Sequence, residues 1–395
     1  MYCLDKGLTR IVVVIFLQVK IFMVFFMVMT ADFFMRRALT LAARARGRTS
    51  PNPMVGAVIV RNGRIIAEGY HKKAGTPHAE AIALAQAGGK ARGATLYVSL
   101  EPCCHKDKRT PPCTEKIISS GIGKVVIAMK DPNPKVSGKG IRELENAGIP
   151  VVQGTLEQKA RDLNRYYIKH IVTGTPFVIL KAAMTLDGKI ATPEGESQWI
   201  TGEKARKLVH AIRGEVDAVM TAIGTVRADN PRLTCRQRGK RSPERIIIDP
   251  GLDIAPDACL LSIPPRTTVV TRSSEGRRQD HAIGQKRTAL KERGISLIDY
   301  PGERVDLGWL MSELGRRGIM SILVEGGASF NYSCLDAGIV DKVMFFVAPK
   351  IIGGRDSFPA VGGKSFRSLD NAFRIRDLRA RKIGEDILLE GYIIK

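Results

Sequence analysis

His78-Ala79-Glu80, followed by Glu101-Pro102-Cys103 and then Cys113, constrains this chain more than any other segment. One imidazole and two thiols, brought together, make a tetrahedral zinc site that keeps a fourth position for water. Such a cation lowers the pKa of that water toward ~7. Glu80 stands two residues after the His, is not itself a ligand, and is placed to carry a proton from the water to a leaving amine. A fold that does this sets His78 at one helix start and Cys113 at the next, so that two helix N-termini converge on one metal. Helix N-termini also favour the thiolate.

This is the logic of zinc deaminases, whose signature is His-x-Glu followed by Pro-Cys and a second Cys. The spacing departs from the common P-C-x-x-C. Between Cys103 and Cys113 lie Cys104 and the run His105-Lys106-Asp107-Lys108-Arg109-Thr110-Pro111-Pro112. Cys104 could replace Cys103 as a ligand, but the Pro-Cys step favours Cys103. A plain alternative, a buried Cys pair with a capping His, requires three cysteines to fall by coincidence just downstream of His-x-Glu.

A helix over 33–46, with Asp32 as its N-cap, precedes the Pro51-Asn52-Pro53 loop. Asn62-Gly63 predicts a hairpin joining strands 54–60 and 65–70. Helix 78–87, strand 94–100, helix 113–119, strand 124–129, helix 141–147, strand 149–153 and a long helix 156–172 follow. This alternation predicts an α/β domain, a mixed sheet covered by helices. Gly174-Thr175-Pro176 marks the expected boundary. Beyond it strands at 177–184, 217–221, 245–249, 267–271, 295–300, 321–325, 342–348 and 387–394 alternate with helices at 203–213, 307–316 and 328–337. Residues 232–243 and 272–293 read as exposed loops or linking helices. The expected division is a hydrophobic extension at 1–28, a first domain at 29–173 and a second at 174–395.

A chain of 395 residues suits two domains. Seven cysteines, an odd number with three in one motif, exclude a secreted disulfide framework and point to a reducing cytoplasm. The net charge of +23 favours anionic partners such as phosphorylated small molecules. No basic stretch is interleaved with aromatics, so base-stacking nucleic-acid binding is not indicated. Residues 11–29 are nearly long enough to cross a bilayer, but Gln18 and Lys20 interrupt the run. A membrane anchor, a segment packed on the core, and sequence upstream of a true start at Met29 are the three readings, and the last is preferred. A chain beginning at Met29 is expected to be soluble and active.

In the second domain, Ser321–Glu325 runs into Gly326-Gly327 and a helix, a turn whose free N–H groups suit phosphate. Thr221-Ala-Ile-Gly224-Thr225-Val226 reads as a second turn of this kind, and two such turns fit a dinucleotide. Neither is a G-x-G-x-x-G fingerprint. Lys181 interrupts an apolar strand, and Arg213 and Arg236 suit phosphate. Taken singly, each also reads as a solvated charge or a turn residue.

Together these segments resemble the RibD family of bifunctional riboflavin-biosynthesis enzymes, a pyrimidine deaminase fused to a 5-amino-6-(5-phosphoribosylamino)uracil reductase. The resemblance covers roughly residues 30–395. It is carried by Pro51-Asn-Pro-Met-Val-Gly56, His78-Ala-Glu80, Leu100-Glu-Pro-Cys103, Arg109-Thr-Pro-Pro-Cys113, Asp131-Pro-Asn-Pro134, Thr185-Leu-Asp-Gly188, Gly195-Glu-Ser-Gln-Trp-Ile-Thr201 and Val324-Glu-Gly-Gly327. The wide Cys–Cys spacing is usual there, although this loop is one residue longer and Cys104 replaces a usual Ser. The resemblance implies a cytidine-deaminase-like three-layer domain followed by a dihydrofolate-reductase-like α/β domain. It implies zinc on His78, Cys103 and Cys113, with Glu80 catalytic. Asn52 would orient the substrate ring, and His105 with Lys108 or Arg109 would lie near its phosphate. In the reductase it implies NADPH at Ala183, Trp199, Thr225, Asp229 and Gly327. Substrate would meet Lys181, Ser197, Arg213, Leu233, Arg236 and Glu325. The expected partners are a phosphorylated pyrimidine and further copies of the chain, with no nucleic acid.

Two other readings compete. A nucleobase or tRNA deaminase with an unrelated appended domain fits His-x-Glu and the basic charge, but lacks P-C-x-x-C and would show steep salt dependence. A noncatalytic zinc scaffold needs a fourth protein ligand, for which Cys104 or His105 are the candidates.

Overall fold

The structure, a computed structural model, describes residues 31–104, 112–273, 281–364 and 366–394. The hydrophobic run at 11–29, the Met29 start, His105, Lys108 and Arg109 lie outside them. Among the described residues no helix is long and apolar enough to cross a membrane. The chain divides into two compact units, one ending at Ile168 and the other beginning at Lys169.

The first unit contains α1 (31–43), β1 (Gly56–Arg61), β2 (Arg64–Tyr70), α2 (Ala79–Ala87), β3 (Thr95–Val98), α3 (Cys113–Ser119), β4 (Lys124–Ile127), α4 (Lys139–Asn146), β5 (Val151–Gln153), α5 (Glu157–Leu163) and the start of α6 (Arg165–Thr173). Its sheet runs β2-β1-β3-β4-β5. β1 is antiparallel to β2 and β3, while β3, β4 and β5 are parallel. Asn62 (φ 52°) and Gly63 (φ 72°) make the expected hairpin turn, which needs positive φ at both positions.

Two glycines show how helices cover both faces. A Cβ on Gly56 would lie 2.0 Å from the Ala38 carbonyl of α1, and one on Gly69 would lie 2.3 Å from the Ala79 carbonyl of α2. Gly69 pairs with Ala57, so it faces the side opposite to Gly56. α1 and α2 therefore sandwich the sheet, and the unit has three layers. Gly56→Ala has no room because the clash is with backbone. It is expected to cost about 1–3 kcal/mol, read as a lower urea midpoint by far-ultraviolet dichroism.

Two expectations for this unit are corrected. Residue 31 is already helical, so Asp32 lies inside α1 instead of capping it, and it pairs with Arg36 at 3.6 Å. The long helix breaks at Asn164, whose side chain accepts from Met54 N at 2.8 Å and donates to Met54 O at 2.9 Å. Asn164 thereby satisfies a loop strand edge, and the chain turns there (φ −103°, ψ 20°).

The second unit contains β6 (Phe177–Thr185), β7 (Lys189–Ala191), α7 (Glu203–Arg213), β8 (Ala218–Ala222), α8 (Ile223–Asp229), β9 (Glu244–Ile248), α9 (Cys259–Ser262), β10 (Thr267–Arg272), α10 (His281–Glu292), β11 (Ser296–Tyr300), α11 (Leu307–Arg316), β12 (Ser321–Val324), α12 (Ala328–Asp336), β13 (Lys342–Ala348), β14 (Phe358–Pro359), β15 (Ile375–Ile383) and β16 (Asp386–Ile393). Nine strands form one sheet in the order β11-β10-β9-β8-β12-β6-β13-β16-β15. The strands from β11 to β13 are parallel, and β16 and β15 close the edge antiparallel. β12 returns to insert between β6 and β8, which makes a topological switch point. Open α/β sheets bind ligands outside the carboxyl ends of strands at such a point.

One expectation for this unit is corrected. Residues 223–229 form α8, so Gly224 sits in a helix and not in a turn after a strand. β15 is a strand although its sequence is rich in Arg, because its pairing with β16 and not a buried face holds it. β7 pairs with β14, not with β6, although Gly188 (φ 80°) makes the tight turn after β6.

Candidate active site

His78 precedes α2 with extended backbone (φ −71°, ψ 162°), and its side chain makes no capping bond. Cys113 is the first residue of α3. Cys103 follows β3, and its carbonyl accepts from Thr114 N at 3.3 Å, which ties the two cysteine segments together. His78 Nδ1 lies 3.2 Å from Cys113 Sγ and 3.5 Å from Cys103 Sγ. The three ligand atoms lie within 4.8 Å of one another, the only such group among the described residues. Zinc bonds of ~2.0 Å to nitrogen and ~2.3 Å to sulfur at tetrahedral angles set N···S near ~3.5 Å. The donor set fits zinc, and it takes Cys103, not Cys104.

The thiols are not equivalent. Hydrogen bonding from Cys113 pulls the Cys103 thiol down to about 3 against its burial, with help from His78. The same bond and burial push Cys113 up. A cation between them would ionise both. Glu80, in the first turn of α2, is 3% exposed. Burial lifts its carboxyl above the ordinary range, while the neighbouring His78 opposes the shift.

His78, Glu80 and Cys103 face a cleft of about 490 Å³, counting its open mouth, which Asn52, His71, Asp131, Asn133 and Tyr167 also line. His71 Nδ1 lies 3.2 Å from the Pro77 carbonyl, and its Nε2 lies 3.2 Å from Asn52 Nδ2. A carbonyl only accepts, so Nδ1 carries the proton and Nε2 accepts from Asn52. The Asn52 amide is thereby fixed in orientation. Glu101 receives three backbone N–H groups, Asp131 at 3.2 Å, Gly138 at 3.0 Å and Ile141 at 3.2 Å. A Cβ on Gly140 would lie 2.2 Å from the Pro102 carbonyl, so α4 packs directly against the cysteine segment. Tyr167 donates to Asp131 at 2.9 Å, and burial, then Asp131, pushes its phenol up.

Sequence reading gives His71 and Tyr167 no role and uses Glu101 only as part of a motif. Their neighbours in the sequence carry no signal, because each acts on a segment remote in the chain. His71 does stand seven residues before His78 at the end of a strand, the one hint available.

In the second unit β12 lies beside β6 with Val324 opposite Leu180. The next residues, Glu325 and Lys181, meet at 3.4 Å. Arg213, the last residue of α7, forks onto the same carboxylate, Nε to Oε1 at 2.5 Å and Nη2 to Oε2 at 2.9 Å. Its Nη1 also donates to the Thr234 carbonyl at 3.2 Å, joining the 233–236 loop to this cluster. Ser197 donates to Asp229 at 3.1 Å. Thr225 Oγ1 lies 3.9 Å from where a Gly327 Cβ would stand, with nothing else within 4 Å, so open space faces the start of α12. Unpaired N–H groups at a helix N-terminus are of the kind that suit phosphate. Ala183 lies two residues beyond Lys181 on β6, on the same face. Leu233 (φ 50°) is 4% exposed, so its side chain is packed inside. Arg236 and Trp199 are both exposed.

The family model for the cytidine and deoxycytidylate deaminase zinc-binding region matches residues 29–129, and that for the RibD C-terminal domain matches residues 176–389. Riboflavin biosynthesis protein RibD of Actinobacillus pleuropneumoniae is 43% identical over 373 residues, 93% of this chain and 97% of that protein. The solved structure of Acinetobacter baumannii RibD, form 1, is similar with a TM-score of 0.84 at 36% identity, covering 93% of this chain and all of that one. The Thermotoga maritima diaminohydroxyphosphoribosylaminopyrimidine deaminase/5-amino-6-(5-phosphoribosylamino)uracil reductase has a TM-score of 0.81 at 38% identity, covering 93% of this chain and 99% of that one. With a zinc-type triad in one unit, a topological switch point in the other, and relatives matching both, the chain belongs to the RibD family.

Proposed function

We propose that this chain is a bifunctional enzyme of riboflavin biosynthesis. Its first unit deaminates 2,5-diamino-6-(5-phosphoribosylamino)pyrimidin-4(3H)-one, and its second reduces the ribosyl group to ribityl with NADPH. The observation that carries this reading is the His78–Cys103–Cys113 triad with Glu80 buried beside it in a cleft.

His78, Cys103 and Cys113 hold zinc, which when bound supplies the Lewis acidity that makes water nucleophilic at neutral pH. Glu80 takes the water's proton and returns one to the departing ammonia. Its burial suits both steps, since a carboxyl raised above its usual range holds a proton more firmly than a free one between accepting and returning it. Asn52, held by His71, presents its amide oxygen to the substrate ring. His105 with Lys108 or Arg109 would meet the substrate phosphate.

The second unit would hold NADPH, which when bound would supply the hydride for the ribosyl C1′, with a proton from water going to the ring oxygen released as the sugar opens. Ala183, Trp199, Thr225, Asp229 and Gly327 form its binding wall, and Ser197, Arg213, Arg236 and Glu325 hold the substrate. Leu233 contributes through its backbone, because its side chain is turned inward. Lys181 stands beside the reacting groups on the Glu325 carboxylate. We further propose a cytoplasmic homo-oligomer. Free thiols at the metal site support the compartment, and exposed Ile375 and Leu378 on the edge strand β15 support assembly, which light scattering would test.

Purified protein given the diaminopyrimidine phosphate and NADPH is expected to release ammonia and oxidise nicotinamide, followed separately. A chelator should strip one zinc per chain and abolish ammonia release, while the deaminated intermediate is still reduced. Ammonia release that survives metal removal would overturn the deaminase assignment.

A further inference from the structure

Trp199 is one of two tryptophans in the chain and is 60% exposed, yet it is held at two points. The Arg206 guanidinium lies over the indole, with its Cζ 4.6 Å from the ring centroid. The carbonyl of Trp199 itself accepts from Lys350 Nζ at 2.7 Å. Arg206 is in turn anchored, its Nη1 donating to the Thr201 carbonyl at 2.6 Å. The start of α7, which carries Arg206, is pinned by Gly202 N donating to the buried Asp386 carboxylate at 2.9 Å. A planar cation thus backs an indole that keeps much of its surface open to solvent. Exposed tryptophans lose rotamer freedom when a ligand stacks on them, and a ring already fixed avoids that cost.

We propose that Arg206 is a positioning residue for the reductase, holding the Trp199 ring ready as a wall of the NADPH site. The inference rests on the reading of Trp199 as a cofactor contact. Arg206 touches no reacting atom and acts through the indole. A guanidinium stacks on a ring as an ammonium cannot, so charge alone is not sufficient.

The test uses the full chain. Arg206→Met keeps the stem and removes the planar cation, and Arg206→Lys keeps the charge without the plane. Arg206→Met is expected to raise KM for NADPH about tenfold with kcat within about twofold. Arg206→Lys should fall between it and the parent, and ammonia release should not change. In a Trp309→Phe background Trp199 is the sole indole, and Arg206→Met should lower its emission anisotropy and its energy transfer to bound NADPH. Trp199→Ala should raise KM as well, and adding Arg206→Met to it should change nothing further. An equal rise in KM for Arg206→Met with and without Trp199 would overturn the inference, as would unchanged anisotropy. If Arg206→Met does not fold, the same comparison is made with Arg206→Lys. If Trp199→Ala leaves KM for NADPH unaltered, the cofactor role of Trp199 fails and the inference falls with it. That outcome is distinguished from failure of Arg206 alone, in which Trp199→Ala still raises KM.

Discussion

Glu80→Gln is expected to lower ammonia release by about 10²–10⁴-fold while zinc stays at one per chain and reduction of the deaminated intermediate is unchanged. The substitution keeps the shape of a buried side chain and removes only its ability to exchange a proton. Glu80 is not among the three ligand atoms that converge, so the metal should remain. The result would separate this enzyme from a noncatalytic zinc scaffold, in which loss of a carboxyl that binds no metal leaves nothing to measure. Metal analysis and an ammonia assay on one preparation suffice. Full deaminase activity in that protein would remove Glu80 from the mechanism, and with it the deaminase half of the proposal.

The legibility of this site follows from locality. His78, Glu80, Cys103 and Cys113 are readable because zinc chemistry demands those residue types, and helix starts at 79 and 113 follow from local signals. The parallel strands of the second unit are equally plain, since strands such as β12, all four residues buried, are apolar from Ile322 to Val324. What the sequence hides is held by partners distant in the chain. Arg245, inside β9, is wholly buried and has no carboxylate partner among the described residues; it donates to the carbonyls of Arg232, Ile263 and Pro265. Burial pulls its guanidinium down to about 10. Nothing next to Arg245 announces that two loops will fold onto it. The break at Asn164 is of the same kind, because its cause is Met54. β15 is the opposite case: its local composition argues against a strand, and the ladder with β16 overrides it.

Glu325→Gln is expected to abolish most NADPH oxidation while leaving ammonia release intact. Two cations, Lys181 and Arg213, converge on this one carboxylate, and all three groups are largely buried. Burial alone would lift the Glu325 carboxyl, but Arg213 and Lys181 more than offset it and hold it at about 2. Removing the charge leaves two cations facing each other out of water, at a cost of about 3–5 kcal/mol. Expressed at the site, that is on the order of 10²–10⁴ in reductase kcat/KM. The sign with pH follows from the depressed value. An unfolded glutamate titrates near ~4.3, so the stabilisation is complete above that pH and is lost as pH falls toward about 2, where the folded group takes up its proton. The parent should therefore lose stability in the second unit across that acid window, and Glu325→Gln should lack this contribution. Parallel assays of ammonia and nicotinamide, with acid unfolding of both proteins, test the two consequences together. Loss of both activities in Glu325→Gln would argue against separable sites, whereas loss of reduction alone assigns the carboxylate to the second site and leaves the zinc chemistry to the first.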